Sequence, residues 1–355
     1  MTEMSASARQ VERKVSRQDS DPFRIEMRFS RNILVIHWRM IVLIGLVLAP
    51  LVAGAQPSSP SQNISGPDYT LKLNADMVIL SATVLDRRNA LVSGLNKDDF
   101  QVYEDGALQK IGNFSHEDIP VTVGIVVDNS GSMGSKRADV IAAALAFAQS
   151  SNPQDQMFVV NFNERVSFGL PADIPFTSRK DQLQLALSNI RAIGQTALYD
   201  GIKVALDHLR QGSSDKKVLI LISDGGDNAS KHTLAQAIGM ARQSAAIIYS
   251  IGIYDDQDAD RNPDVLRRFA KETGGEAFFP ESPREIPSIC EGIARDIRNQ
   301  YTLTYVPTIT SQDGRYRAIE VKASTRGRGR LSVRTRAGYS VPLNIPEAGS
   351  TGGRP

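Results

Sequence analysis

A chain of 355 residues with 41 lysines and arginines against 39 aspartates and glutamates is long enough for two domains, and too evenly charged to bind nucleic acid through its overall charge. One cysteine, Cys290, excludes an intrachain disulfide framework. Four scattered histidines (His37, His116, His208 and His232) leave no Cys/His spacing for zinc.

Residues 1–30 are polar and mixed in charge. An apolar run follows, Met40–Val52, broken only by Gly45 and Pro50. Arg31 and Arg39 precede it, and Ala53 and Ala55 follow at the small-residue positions of a cleavage site. The run falls short of the ~20 residues a spanning helix requires, which favours a cleaved signal over an uncleaved anchor. We therefore read residues 1–55 as a leader, with Met27 as its functional start. The body of the protein is expected to be exported, to the periplasm, the cell surface or the medium. The membrane would be touched only if the leader stayed attached.

Residues 56–68 are a Pro/Ser-rich linker. From 69 to 119 short alternating runs predict strands: MVILSATVLD, then two around a turn at Asp105-Gly106. Such a segment is too small for a robust core of its own.

Pro120 opens a different regime, residues 120–298. VTVGIVV, VLILIS and AIIYSIGI are unbroken β-branched runs, as in parallel strands covered on both faces. Helical patterns separate them: Val140, Ile141, Ala144, Leu145 and Ala148; Leu183, Leu187 and Ile190; Ile202, Leu206 and Leu209. QMFVVNF and RVSFGL read as a hairpin ending in an edge strand. The order predicts an α/β, doubly wound, mostly parallel sheet. Residues 299–342 return to strands, and 343–355 read as a disordered tail. The simplest architecture inserts the α/β part into a small β-sandwich built from both flanks.

Ligands of open α/β sheets bind beyond the carboxyl ends of the strands. Three polar groups fall there: Asp128, Ser130 and Ser132 after the first strand, Thr196 in the loop before a helix, and Asp224 in SDGGDN. Two carboxylates and three hydroxyls form an all-oxygen set that suits a hard cation, Mg²⁺ above all, with Mn²⁺ or Ca²⁺ as substitutes.

The spaced Asp128, Ser130 and Ser132, with Thr196 and Asp224 in that order, resemble the metal-ion-dependent adhesion site (MIDAS) of von Willebrand factor type A (VWFA) domains. The wider chain is similar to exported bacterial VWFA-related proteins. The resemblance implies that Ser130 and Ser132 ligate the metal directly and Thr196 directly or through water. Asp128 and Asp224 would be ligands or acceptors from bound water. One open position would take an Asp or Glu of a protein partner. Gly131 would keep a β-carbon away from the ion.

The function implied is non-enzymatic adhesion or interaction. A metal-dependent phosphoester hydrolase is the alternative, but its haloacid-dehalogenase-like pattern needs a second aspartate where Ser130 stands. NSGSMG is not a nucleophile elbow, since position 128 is not glycine. The acidic loop 254–262 is no EF-hand, because Arg261 and Arg267 replace its glycine and glutamate. The arginine-rich stretch 326–336 has no aromatic platform for nucleic acid and reads as a solvated hairpin. Cys290 reads as a small buried apolar side chain.

Overall fold

The computed structural model describes residues 77–188, 191–254, 261–309 and 313–341. The leader with its apolar run, the linker, the tail and residues 255–260 of the acidic loop lie outside the described residues.

The centre of the α/β part is a six-stranded sheet. Its strands are β5 (Thr122–Asp128), β6 (Gln156–Phe162), β7 (Val166–Phe168), β8 (Lys217–Ser223), β9 (Ile247–Gly252) and β10 (Ala277–Phe278), in the order β10-β9-β8-β5-β6-β7. All neighbours are parallel except β6 and β7, which pair antiparallel, so β7 forms the expected edge. Every residue of β5 is buried, as a strand covered on both faces requires. Gly124 permits this packing: a Cβ there would stand 2.5 Å from Phe158 and 2.6 Å from Leu219.

The helices are α1 (Arg137–Ser150), α2 (Lys180–Ser188), α3 (Leu198–Leu209), α4 (Leu234–Gln243), α5 (Pro263–Thr273) and α6 (Ile286–Arg298). They fall into two groups, α1 with α2 and α6, and α3 with α4 and α5. Helix α5 starts on Asn262, whose side chain accepts from Val265 N, and stops at left-handed Gly274. Cys290 is fully buried on α6 and its thiol donates to Ala143 O at 3.2 Å. Burial pushes that thiol up to about 12, as befits an inert core residue.

The flanks form two four-stranded sheets. One has the order β13-β1-β11-β4, the other β14-β12-β2-β3. Here β1 is Val78–Leu85, β2 Phe100–Glu104, β3 Ala107–Gln109 and β4 Ile111–Ser115; β11 is Tyr301–Tyr305, β12 Tyr316–Ala323, β13 Ser332–Arg334 and β14 Gly338–Ser340. Residues of both sheets share one core, including Leu80, Ala82, Val102, Leu303 and Val321. Phe100 and Tyr301 pack at 5.0 Å within it.

One predicted strand divides. ALQKIGNF passes from one sheet to the other at Lys110, because Gln109 and Ile111 are both buried and the alternation runs on through the corner. Within the returning strands of 299–342, the chain passes between the sheets again at residues 335–337, from β13 to β14. That passage also corrects the solvated-hairpin reading. Arg326, Arg328 and Arg330 are exposed, whereas Arg334 turns inward to pair with Asp296 and Glu276.

The flanks and the α/β part belong to one compact unit, Leu71–Pro355. A buried polar network ties them together. Asp296 on α6 accepts from Thr83 Oγ1 (2.6 Å), Tyr249 OH (2.7 Å) and Arg334. Gln300 Nε2 donates to Tyr249 OH at 3.1 Å.

Candidate metal centre

Asp128 closes β5 between β6 and β8, at the carboxyl end of the sheet. Its Oδ1 accepts from Ser130 N at 2.9 Å, which bends the chain immediately after the strand. Its Oδ2 accepts from Ser223 Oγ at 2.6 Å. Ser223 ends β8 and hands the chain to Asp224. Asp224 Oδ1 accepts from Gly226 N at 3.0 Å, and Oδ2 accepts from Ser132 Oγ at 2.5 Å. The Ser130 and Ser132 hydroxyls are 3.1 Å apart. Two loops that meet only in the folded state thus join into one run of oxygens: Ser223, Asp128, Ser130, Ser132, Asp224.

Thr196 enters from the loop before α3. Its N–H donates to Asn228 Oδ1 at 2.8 Å, and its carbonyl accepts from Asn228 N and Ala229 N, both at 2.9 Å. The loop after β8 therefore holds Thr196 by its backbone, and the residue is buried. Gly225 has φ +84°, and a Cβ there would lie 2.3 Å from Asn262 O. Asn262 N in turn donates to Asp224 O at 2.9 Å, which brings the described end of the acidic loop against the centre. Gly131 N donates to Gly194 O at 3.0 Å, and a Cβ on Gly131 would meet that carbonyl at 3.4 Å. A contact of that length is ordinary, so backbone crowding does not by itself require glycine at 131.

The plain alternative for serines after a strand is helix capping. Ser130 heads a short 3-10 turn, Gly131–Met133, yet its side chain makes no capping bond. Asp128 turns to Ser130 N and Ser223 rather than to a helix end.

The electrostatics of this face favour a positive charge beside Asp128. Burial, and then the charge of Asp224, push the Asp128 carboxyl up to about 6, although hydrogen bonds from Ser130 and Ser223 pull the other way. A buried carboxylate facing a second one among hydroxyl oxygens fits a hard divalent cation. Among the described residues no group of three or more His, Cys, Asp and Glu side chains could hold a metal. A centre here therefore depends on Ser130, Ser132 and Thr196 beside its two aspartates. A cation with so few carboxylates stays electrophilic, and Mg²⁺ tolerates such sets because it keeps several waters.

All five residues singled out in the sequence lie on the loops that build this face. Their supporting residues were not foreseen. Asn129 is buried, donates to Asn161 Oδ1 at 3.0 Å and accepts from Arg137 at 2.8 Å. Asp227 accepts from Tyr199 N at 3.0 Å, at the start of α3. Asp200 accepts from His232 Nδ1 at 2.6 Å, so a histidine that looked isolated in sequence is paired with a carboxylate. The one available signal was Ser223, a polar residue closing an apolar strand beside Asp224.

Residues 123–226 match the family model of the von Willebrand factor type A domain. An uncharacterized protein of Synechocystis sp. is 23% identical over 170 residues, which are 47% of this chain and 39% of that protein. The match thus spans well under half of the curated relative. A von Willebrand factor type A structure from Catenulispora acidiphila is 15% identical, covers 76% of this chain and 74% of its own, and has a TM-score of 0.45. The vWF domain of the type V pili tip protein Mfa5 from Porphyromonas gingivalis is 16% identical over 51% of this chain and 95% of its own, with a TM-score of 0.43. An aerotolerance-related membrane protein of Bacteroides fragilis is 15% identical over 50% and 98%, with a TM-score of 0.41.

Proposed function

We propose that this chain, whose residues 123–226 match the family model of the von Willebrand factor type A domain, is an exported, non-enzymatic interaction protein that captures an acidic side chain of a protein partner through a divalent metal. Ser130, Ser132, Thr196, Asp128 and Asp224 would hold the ion, Mg²⁺ before Mn²⁺ or Ca²⁺. When bound, the ion supplies a positive centre that an incoming carboxylate can complete. The chain's own residues do the rest. Ser223 and Ser130 N–H orient Asp128, Gly226 N–H orients Asp224, and Asn228 fixes the backbone of Thr196.

The observation that carries this reading is the meeting of Ser132 Oγ and Asp224 Oδ2 at 2.5 Å beside an Asp128 raised to about 6. Export rests on the apolar run and small residues of the leader. Fractionation of cells expressing the full chain checks it.

The decisive experiment is calorimetric titration of Mg²⁺ and Mn²⁺ into the protein and into Asp128→Ala. Saturable binding to the first and none to the second is expected, followed by chelator-sensitive capture of acidic protein partners. Metal-dependent turnover of a generic phosphoester would instead support the hydrolase reading. Equal binding by both proteins would remove the site.

A further inference from the structure

The arginine-rich stretch takes no part in the metal centre, and half of it forms a surface of its own. Arg326, Arg328 and Arg330 are exposed in the connection between β12 and β13. Gly327 and Gly329, at φ +85° and +68°, let the chain turn between them. The turn after β1 faces this connection and carries exposed Arg87 and Arg88. The Arg87 guanidinium carbon lies 3.7 Å from where a Cβ on Gly329 would stand. Two loops far apart in sequence thus bring five arginines to one end of the flanking sheets.

These five arginines face one neighbouring acid, Asp86, whose carboxyl is held low by backbone hydrogen bonds from Ala90 and Arg88 and then by the Arg88 charge. Among the described residues no ion pair joins any of the five to a carboxylate; Arg328 donates to Ser93 O at 3.0 Å. The acid beside them, Asp86, turns its Oδ1 to the backbone, accepting from Arg88 N at 2.7 Å and Ala90 N at 2.9 Å. Arg334, a few residues on, shows the contrast, because it is paired with both Asp296 and Glu276.

Clustered guanidinium groups raise a local positive potential, and their planar forks bind phosphate oxygens two at a time. A lipid-docking face would add bulky apolar side chains to enter the headgroup layer. Here the exposed apolar neighbour is Leu91, 37% exposed and bridged to Leu85. The two loops carry no aromatic ring on which a nucleic-acid base would stack. We propose that this face docks a linear, phosphate-bearing polyanion, with Arg87, Arg88, Arg326, Arg328 and Arg330 as its contacts. This surface acts independently of the metal centre.

The test uses the full chain in chelator, so that the metal site contributes nothing. Labelled long-chain inorganic polyphosphate is titrated by fluorescence anisotropy at low and at raised salt. Saturable binding that weakens with salt is expected. The variant R87Q/R88Q and the variant R326Q/R328Q/R330Q should each bind on the order of 10-fold more weakly, with a log–log salt slope flatter by about 0.7 per arginine removed. The Arg87 and Arg88 side chains make no hydrogen bond among the described residues. The double variant therefore reports on binding even if loss of the Arg328 contact to Ser93 disturbs its loop. The proposal falls if wild type shows no saturable binding at low salt, or if both variants bind as well as wild type. Binding to phosphatidylglycerol vesicles without binding to polyphosphate would overturn it in favour of a bilayer surface.

Discussion

Asp128 sits where a carboxylate is hard to keep charged. It is 1% exposed, and the second carboxylate of the centre acts on it from the adjoining loop. A displacement from 3.8 to about 6 corresponds to roughly 3 kcal/mol held against the charged form. Asp128→Asn keeps the shape and removes the charge. Without metal near neutral pH, its melting temperature should exceed that of wild type, while Mg²⁺ should raise only the wild-type value. A metal-free Asn variant that melts below wild type would contradict this electrostatic account. Asn228→Ala probes the neighbouring contact. It strips Thr196 N–H of its acceptor inside the protein, worth about 1–3 kcal/mol, and should weaken Mg²⁺ binding without abolishing it. The contrast explains what the sequence disclosed at this scale. Asp128, Ser130, Ser132 and Asp224 stand out because polar side chains end apolar strands. Asn228 is one polar residue in a polar loop, and only the folded chain sets it against Thr196.

Helix α6 shows how far periodicity reads an element. Ile286, Cys290, Ile293, Ala294 and Ile297 are buried, as their spacing requires. Asp296 is also buried, and spacing alone would have called it a solvated charge. It faces inward because Thr83, Tyr249 and Arg334 all donate to it. Asp296→Ala would leave the Arg334 and Tyr249 donors without that acceptor, so a loss of about 3–5 kcal/mol in denaturant unfolding is expected. Thr83→Ala removes one donor and should cost about 1 kcal/mol. Equal losses from both would show that packing, and not this pairing, holds α6. The divided strand teaches a related lesson. Leu108 is exposed while Gln109 and Ile111 are buried, so the apolar pattern misreads the inner face before the corner and leaves open which sheet receives it. The six central strands were easier to place, since unbroken burial on both faces admits few other arrangements.

At the scale of the molecule, the chain leaves the first flank at Pro120 and re-enters the second after α6, and both flanks lie against the end of the sheet remote from Asp128. Lys216, just ahead of β8, is buried there, and its Nζ donates to Ile297 O at 2.9 Å. It lines a cavity of about 90 Å³ with Ile79, Ser81 and Thr302 from the flanks. Burial pulls its ammonium down to about 8 from 10.5, against the opposing charges of Asp296, Asp118 and Asp155. The folded protein therefore releases this proton near pH 8, whereas the unfolded chain keeps it to about 10.5. Between those values the unfolded state binds more protons, so stability rises with pH, by roughly 1 kcal/mol at pH 9. Below pH 8 the penalty for burying the charge stands in full, about 3 kcal/mol. The flanks help to impose this burial, which gives a test of whether they and the α/β part act as one unit. A fragment of residues 120–298 keeps the central hydrophobic cluster but loses Thr83, Gln300 and Arg334, the partners of Asp296 and Tyr249. It should fold with a lower midpoint in urea than the full chain. Its Lys216 would regain water, so the rise in stability between pH 8 and 10.5, taken relative to Lys216→Met in each background, should be present in the full chain and much reduced in the fragment. An undiminished rise in the fragment would place the cause within the α/β part alone. The charge would then be buried by Ile297 and its neighbours on α6, with the flanking sheets as mere attachments.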